Sequence, residues 1–190
     1  NWVEISELEK LHNRYNNKIL AVGRLVKQKN FSYLISEFKN SKKYLEIDIV
    51  GNGPDIDELS AQAEKQNVKI NLLGNFENKE LLKLYQQYKF FISTSLFEGN
   101  PKSLLEAMGS GCVVIGSNIN NHKEIISDGK NGYLFEIKDS HLIDKFNFVS
   151  QNDDVLSNIS KEAHSFIKNT FSLNKSVESF YKDFEKTLSK

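Results

Sequence analysis

The stretch KILAVGRLVKQKNFSYLISEF, residues 18–38, joins an apolar run to a glycine turn and then to a segment with helical periodicity. The run Lys18–Val22 is nearly continuous in apolar residues, which is typical of a parallel strand covered on both faces. Apolar residues then recur at positions i, i+3, i+4 and i+7, which places them on one side of a helix. These residues are Phe31, Leu34, Ile35 and Phe38. The stretch therefore predicts a strand, a turn and an amphipathic helix.

The same pattern recurs along the chain, where further apolar runs alternate with amphipathic stretches of about ten residues. The runs are Leu45–Val50, Lys69–Leu73, Phe90–Ile92, Cys112–Ile115 and Gly132–Phe135. The helical stripes between them comprise Ile56, Leu59 and Ala63, and then Leu81, Leu84, Tyr85 and Tyr88. Strands that alternate with helices indicate βαβ units with right-handed crossovers. We predict an α/β fold, a Rossmann-like doubly wound parallel sheet of about six strands with helices on both faces, plus C-terminal helices.

We predict a single domain over residues 1–190, with the Rossmann-like core over 17–150 and C-terminal helices over 151–190. One apolar stripe of these helices comprises Val155, Ile159, Ala163 and Phe166, and a second comprises Val177, Phe180, Tyr181, Phe184 and Leu188. The start of the chain predicts a short helix, whose apolar positions are Val3, Ile5, Leu8 and Leu11.

Composition narrows the class of protein. The 190 residues contain one cysteine, Cys112, which excludes an internal disulfide framework or a cysteine-rich zinc site and indicates a small core residue. The 25 Lys and Arg residues balance the 25 Asp and Glu residues, which argues against a protein that coats nucleic acid. No apolar run approaches the roughly 18 residues that span a bilayer, and Asn1–Glu4 lacks a signal pattern. We expect a cytoplasmic protein with no nucleic-acid partner.

Ligands of a doubly wound sheet bind beyond the carboxyl ends of the strands, so the residues after each strand indicate function. After the first strand, Gly23 allows a close backbone approach, and Arg24 and Lys29 are suited to a diphosphate. The alternative is that both are solvated loop cations. The dinucleotide fingerprint Gly-x-Gly-x-x-Gly is absent there, which argues against a nicotinamide-binding dehydrogenase domain.

Two further turns lie on the same predicted rim. Gly51–Pro54 follows the second strand and contains Gly53, and a tight turn into a helix explains it without a ligand. Gly74–Phe76 follows the third strand, where Phe76 either stacks on a base or packs against the protein.

The segment STSLFEGNPKSLLEAM, residues 93–108, follows the fourth strand. Asn100 suits the N-cap of a helix and Pro101 its first position, which leaves the backbone N–H groups of Lys102 and Ser103 for a phosphate. Glu98 and Glu106 would repel that phosphate unless hydroxyl groups engage them, and a nucleotide sugar supplies such hydroxyls. The alternative is a surface acid at Glu98 and an exposed helix residue at Glu106.

Together these residues resemble the C-terminal, donor-binding half of the retaining GT-B glycosyltransferases of family 4, the glycosyl transferases group 1. The resemblance covers Lys18–Phe135. It rests on the order and spacing of Gly23-Arg24 with Lys29, Gly51-x-Gly53-Pro54, Glu98-x7-Glu106 and Gly129-x-x-Gly132.

The resemblance implies roles residue by residue. Arg24 and Lys29 match the cations that hold the diphosphate, Glu98 matches the acid at the donor sugar, and Glu106 matches the acid that binds both ribose hydroxyls. The residues implied as catalytic are Arg24, Lys29 and Glu98. Those implied to bind the nucleotide sugar are Gly23, Gly53, Asn75, Phe76, Asn100, Pro101, Lys102, Ser103, Leu104 and Glu106. No metal ion and no other cofactor is implied, and the variant Gly99-Asn100-Pro101 leaves the donor sugar open.

The resemblance also implies the reaction, which is retaining transfer of a hexosyl unit from a nucleoside diphosphate sugar, most often a UDP-sugar. The acceptor is a glycan or a lipid, bound by an N-terminal domain that this chain is expected to lack. A role in polysaccharide biosynthesis and peripheral association of the full-length enzyme with the inner face of the cytoplasmic membrane are further expectations. The alternative is a non-catalytic nucleotide-sugar-binding or scaffold subunit. The four histidines show no metal-ligand spacing, and a donor-side role is left open for His122.

Overall fold

The fold is built on a parallel sheet of six strands, as the sequence predicts. The structure is a computed structural model, and it describes residues 3–5, 7–8, 10–39, 41 and 45–171. The strands are β1 (Tyr15–Val22), β2 (Glu46–Val50), β3 (Lys69–Gly74), β4 (Tyr88–Ser93), β5 (Val113–Ser117) and β6 (Tyr133–Phe135). They lie in the order β3-β2-β1-β4-β5-β6, and every pairing is parallel.

This strand order reverses between β1 and β4, which are neighbours in the sheet although two strands separate them in the chain. The connection after β1 leads to one edge of the sheet, and the connection after β4 leads to the other. The loops that leave these two strands therefore diverge and open a crevice at their carboxyl ends. A Rossmann-like fold thus places its ligand crevice beside the segments that follow Val22 and Ser93.

Helices cover both faces of the sheet. They are α1 (Phe31–Phe38), α2 (Ile56–Gln66), α3 (Asn78–Tyr85), α4 (Lys102–Gly109), α5 (Asn120–Lys123), α6 (His141–Val149) and α7 (Asp153–Thr170). Ile19 and Ala21 of β1 face the cluster that contains α1, α2 and α6, whereas Leu20 faces the cluster that contains α3 and α4. Strands with two buried faces cannot alternate with polar residues, which explains the continuous apolar runs.

A buried carboxylate connects α1 to α6. Glu37 is 8% exposed and accepts hydrogen bonds from the backbone N–H groups of Ser140 at 2.9 Å, Leu142 at 3.0 Å and Ile143 at 3.3 Å. These N–H groups lie at the start of α6, where a helix leaves its own donors without acceptors. Glu37 therefore caps a helix about a hundred residues away in the chain. This contact ties α1 to α6, and the loop after β1 leads directly into α1.

Three local predictions are wrong. Tyr88 is the first residue of β4 and not part of the preceding helix, because α3 ends at Tyr85. The described residues of 3–10 form no helix, and only a short 3-10 turn is present at Leu11–Asn13. In α7 the predicted stripe is wrong at Val155, which is 43% exposed, whereas Ile159 and Ala163 are buried as predicted and lie on a stripe with Leu156 and Ile167. The second predicted stripe, Val177 to Leu188, lies outside the described residues. Among the described helices, none is both long and apolar enough to cross a membrane.

Candidate functional site

The loop after β1 carries the predicted cations. Lys29 ends a short 3-10 turn, Lys27–Lys29, and the next residue, Asn30, has a left-handed backbone with φ 54°. A Cβ atom at Gly23 would lie 2.9 Å from Cε of Lys29. Glycine at this position therefore lets the lysine side chain lie against the backbone. Arg24 is exposed, and no ion pair joins it to any residue that the structure describes.

The loop after β2 packs closely against the loop after β1. A Cβ atom at Gly51 would lie 1.9 Å from the carbonyl oxygen of Gly23, and one at Gly53 would lie 2.3 Å from that of Leu25. The N–H of Leu25 donates to the carbonyl of Asn52 at 2.9 Å. Glycine is required here for loop packing, which accounts for Gly53 without a ligand. Its nucleotide-sugar role stays a prediction.

The loops after β1 and β4 meet in an ion pair. Nζ of Lys29 lies 2.5 Å from Oε1 of Glu98, and the side chains are 18% and 7% exposed. The hydroxyl of Ser95 donates to the same Oε1 at 2.6 Å. A largely buried carboxylate requires such partners, because burial alone would disfavour its charge. The alternative that Glu98 is a surface acid is therefore wrong.

Three further hydrogen bonds fasten these two loops together. The hydroxyl of Thr94 donates to the carbonyl of Lys29 at 2.8 Å, and the N–H of Leu96 donates to the carbonyl of Gln28 at 2.9 Å. The amide of Gln28 donates in turn to the carbonyl of Phe97 at 2.9 Å. The positions of Lys29 and Glu98 are thus fixed by backbone contacts as well as by their own ion pair.

The start of α4 differs by one residue from the prediction. Pro101 is the N-cap, and the helix begins at Lys102. The N–H of Lys102 donates to the carbonyl of Asn100 at 2.9 Å, so the prediction that it is free for phosphate is wrong. The N–H of Ser103 lies in the first turn, where an α-helix supplies no backbone acceptor of its own. Leu104 is 1% exposed, and its N–H donates to the carbonyl of Pro101 at 3.0 Å.

Glu106 faces inward from α4 and is 4% exposed, so the alternative of an exposed helix residue is wrong. Its Oε1 lies 3.4 Å from Nζ of Lys102, and its Oε2 accepts a hydrogen bond of 3.4 Å from the hydroxyl of Tyr85. Burial raises the pKa of Glu106, and Lys102 and Tyr85 oppose that shift only in part. The carboxylate lines a groove of about 430 Å³ together with Asn78 and Asn100.

The turn after β3 lies on the same rim of the sheet. Gly74 adopts φ +70°, and its carbonyl accepts from the N–H of Gly51 at 2.8 Å. Asn75 and Phe76 are exposed, with Phe76 at 37%. Part of the Phe76 ring is therefore open to solvent, and both stacking on a base and packing against the protein stay open. Base binding by either residue stays a prediction.

His122 is completely buried beneath the loop that carries Glu98. Its Nδ1 donates to the carbonyl of Ser117 at 2.9 Å, and the hydroxyl of Ser117 donates to the carbonyl of Ser95 at 2.6 Å. Burial lowers the pKa of His122, so the imidazole is neutral at physiological pH. Sequence reasoning missed Ser95 and Ser117. The spacing Ser95-x-x-Glu98 is the one local signal that pointed to a contact.

The amino-acid sequence matches one known protein family over most of its length. The family described as "Glycosyl transferases group 1" matches residues 5–171, which is most of the chain. The chain belongs to this family. The resemblance drawn from the motifs is confirmed at that level, and the roles of individual residues stay predictions.

The curated relatives that this chain matches are longer than the chain itself. Alpha-monoglucosyldiacylglycerol synthase of Acholeplasma laidlawii is 29% identical over 174 residues, which cover 86% of the chain and 43% of that enzyme. A second relative, from Campylobacter jejuni, is 36% identical over 125 residues, which cover 63% of the chain and 33% of that enzyme. Its name is "N-acetylgalactosamine-N,N'-diacetylbacillosaminyl-diphospho-undecaprenol 4-alpha-N-acetylgalactosaminyltransferase". The first relatives match over 26% to 49% of their own length.

Solved GT-B structures share the fold. TarM of S. aureus, in complex with fondaparinux, alpha-GlcNAc-glycerol and UDP, superposes with a TM-score of 0.82 at 25% identity. The match covers 96% of this chain and 38% of TarM. This chain therefore aligns with one part of the longer TarM chain.

The structure brings some of the predicted residues together and separates others. Lys29 and Glu98 form one cluster, and Glu106 with Asn100 and Lys102 lines the groove on α4. Arg24 lies on the surface, in the same loop after β1 as Lys29. Among the described residues, no group of three or more His, Cys, Asp or Glu side chains is placed to hold a metal ion.

Proposed function

We propose that this chain binds a nucleoside diphosphate sugar, specifically a UDP-sugar, in the crevice between β1 and β4. The enzyme that contains it transfers a hexosyl unit to a glycan or lipid acceptor with retention of anomeric configuration. The observation that carries this proposal is the largely buried Lys29–Glu98 pair, together with the separate buried carboxylate of Glu106 on the helix that follows the same strand. A cation for the diphosphate and two carboxylates for sugar hydroxyls match the two kinds of group in a nucleotide sugar. Group 1 membership and the UDP bound to TarM support the same assignment.

The proposed chemistry follows from where charge develops. As the anomeric carbon–oxygen bond breaks, electrons move to the leaving diphosphate and positive charge grows on the sugar ring. Lys29 and Arg24 stabilise the leaving group, together with the N–H of Ser103 in the first turn of α4. Each preorganised donor of this kind lowers the barrier by roughly 3 kcal/mol in comparable sites. Glu98 orients the sugar and favours its cationic character.

The remaining assignments belong to the longer protein. The acceptor is bound by a second, N-terminal domain, and this chain is the C-terminal half of a family 4 enzyme. The full-length enzyme works in the cytoplasm, at the inner face of the membrane, in polysaccharide biosynthesis. The diphosphate charge is neutralised by Arg24 and Lys29 without a metal ion, so EDTA should leave UDP affinity unchanged. A tenfold or greater loss of affinity in EDTA would contradict this part.

Calorimetric titration of the chain against UDP, GDP, ADP and CDP, and against UDP-glucose and UDP-GlcNAc, tests donor binding. We expect UDP and a UDP-sugar to bind most tightly, and absence of binding by every nucleotide in the millimolar range would show that the proposal is wrong. Slow cleavage of the bound UDP-sugar by water, which yields free UDP and free sugar, distinguishes an active donor site from a scaffold. A site that binds UDP-sugars but never cleaves them in the full-length protein would favour the non-catalytic alternative.

A further inference from the structure

The carboxylate of Glu98 is held asymmetrically. Both of its short contacts, 2.6 Å to the hydroxyl of Ser95 and 2.5 Å to Nζ of Lys29, reach the same oxygen, Oε1. No residue in the described part of the chain donates to Oε2. One oxygen is therefore fixed by the protein, and the other is an acceptor for a ligand hydroxyl.

The two donors to Oε1 differ in rigidity. Lys29 reaches Glu98 through a four-carbon side chain, which lies against the backbone of Gly23 but still has several rotatable bonds. Ser95 has one side-chain torsion, is 1% exposed, and lies two residues beyond the end of β4 at Ser93. With Lys29 alone the carboxylate is free to turn about its one contact. With Ser95 present as well, the direction of Oε2 is defined.

The backbone of Ser95 is itself anchored from the neighbouring strand. The hydroxyl of Ser117, at the end of β5, donates to the carbonyl of Ser95 at 2.6 Å. The carbonyl of Ser117 in turn accepts from Nδ1 of His122 at 2.9 Å. His122 is completely buried, so its contact with Ser117 is shielded from competing water.

We propose that Ser95 is a positioning residue for Glu98. It fixes Oε1 so that Oε2 is presented to a hydroxyl of the donor sugar. Lys29 keeps further N–H groups for the diphosphate, because an ammonium has three donors. The inference rests on the proposed function, since it requires Glu98 to contact the sugar of a bound nucleotide sugar. Ser95 acts only through Glu98 and therefore affects sugar binding but not diphosphate binding.

The test is the ratio of affinities for UDP-glucose or UDP-GlcNAc and for UDP, measured by calorimetry. Ser95→Ala should lower this ratio about tenfold, the worth of one hydrogen bond to a charged group, while UDP affinity stays within about twofold. Ser160→Ala is the matched control. It also removes a buried hydroxyl, which donates to the carbonyl of Gly111 at 2.6 Å, next to the start of β5 and away from the crevice. Ser160→Ala should leave the ratio unchanged.

A double-mutant cycle separates positioning from a general structural effect. In the Glu98→Gln background, Ser95→Ala should change the ratio less than about twofold, because the residue it positions is already altered. Where Ser95→Ala does not fold, Ser117→Ala should lower the ratio about threefold by loosening the backbone of Ser95.

The outcomes are distinguishable. If the unaltered chain binds neither UDP nor a UDP-sugar, the proposed function fails, and the inference fails with it. If the chain binds both ligands but Ser95→Ala leaves the affinity ratio unchanged, the positioning role is wrong and the proposed function stands. The same holds if Ser95→Ala lowers the ratio by the same factor with Glu98 present as in the Glu98→Gln background.

Discussion

Glu98 and Glu106 lie eight positions apart in the sequence, yet the protein treats their charges differently. Glu98 sits in the loop after β4 with contacts of 2.5 Å to Lys29 and 2.6 Å to Ser95. Glu106 sits on α4 and is 4% exposed, and among the described residues its polar contacts are those of 3.4 Å to Lys102 and Tyr85. The loop acid is stabilised before any ligand arrives. The helix acid is desolvated and incompletely satisfied, which makes it a strong acceptor for added hydroxyl groups.

The two carboxylates are therefore preorganised in different ways. Contacts from two loops hold Glu98, so its geometry is set by the strand-order reversal between β1 and β4. The position of Glu106 is set by one helix, and its energy is set by burial. The following experiments test this contrast, beginning with the largest expected effect.

Lys29→Ala removes the cation of the loop pair. It should lower the free energy of unfolding by about 3 kcal/mol, because a largely buried carboxylate loses its partner, and UDP affinity should fall about 100-fold. Urea unfolding and calorimetry measure the two effects.

Lys27→Ala is the matched control, because Lys27 lies in the same turn and forms a 2.5 Å contact with Glu58 between side chains that are 69% and 59% exposed. It should lower the free energy of unfolding far less than Lys29→Ala does, because solvent screens an exposed pair. Equal losses for the two lysines would mean that burial does not distinguish the pair at Glu98.

Glu106→Ala removes the helix acid. UDP affinity should fall about tenfold, since hydrogen bonds from ribose hydroxyls to a charged acceptor are lost, and binding of free uridine should weaken by a similar factor. Calorimetry with UDP, uridine and uracil measures the difference. An equal loss for uracil would overturn the ribose role of Glu106.

Glu98→Gln neutralises the loop acid but keeps its shape. UDP affinity should rise about threefold, because a negative charge beside the diphosphate is removed and Lys29 is released from it. UDP-sugar affinity should not rise. Weaker UDP binding by Glu98→Gln would contradict the idea that this carboxylate serves the sugar and not the diphosphate.

The smallest effect concerns stability and pH. Burial raises the pKa of Glu106, so the folded protein holds this proton to a higher pH than the unfolded chain, and the folded state loses stability as pH rises through that window. Glu106→Gln does not titrate. It should be more stable than the unaltered chain at pH 7, by on the order of 1 kcal/mol, and this advantage should shrink below the ordinary glutamate pKa. Thermal unfolding from pH 3 to 8 measures the difference.

Glu46 supplies a control of opposite sign. Hydrogen bonds from Lys69 and then Lys18 lower its pKa to about 2, so it stabilises the fold above the ordinary glutamate pKa and loses that contribution as pH falls toward 2. Glu46→Gln should therefore be less stable than the unaltered chain at pH 7. If the stability difference from the unaltered chain changes with pH in the same direction for both variants, the pKa shifts of Glu106 and Glu46 do not govern stability.

Much of the fold was predictable because it follows from local periodicity. The continuous apolar runs around Leu20 and Val114 predicted strands with two buried faces, and the alternation of such runs with helices predicted parallel pairing. Boundaries failed where two periodicities overlap. Tyr88 continues the helical stripe of α3, but the helix ends at Tyr85 because the chain enters β4 there. Val155 fits a helical stripe by spacing, although Leu156 is the residue that α7 buries.

The candidate site was predicted less completely. Arg24, Lys29, Glu98 and Glu106 follow from residue chemistry at strand ends and from the family resemblance. The partner that holds Glu98 in place, Ser95, has no periodic signal, and its role becomes visible only when the loop folds back on itself.

The alternation of strands and helices, and the position of the candidate residues after the strands, can be read from local sequence, because apolar periodicity and turn chemistry are properties of neighbouring residues. Tertiary structure alone decided the pairing of Lys29 with Glu98 across 69 residues and the capping of α6 by Glu37. It also decided that Glu106 is buried. The reason is physical: the charge state and hydrogen bonding of an ionisable side chain depend on desolvation and on partners brought from distant segments, which no local pattern encodes.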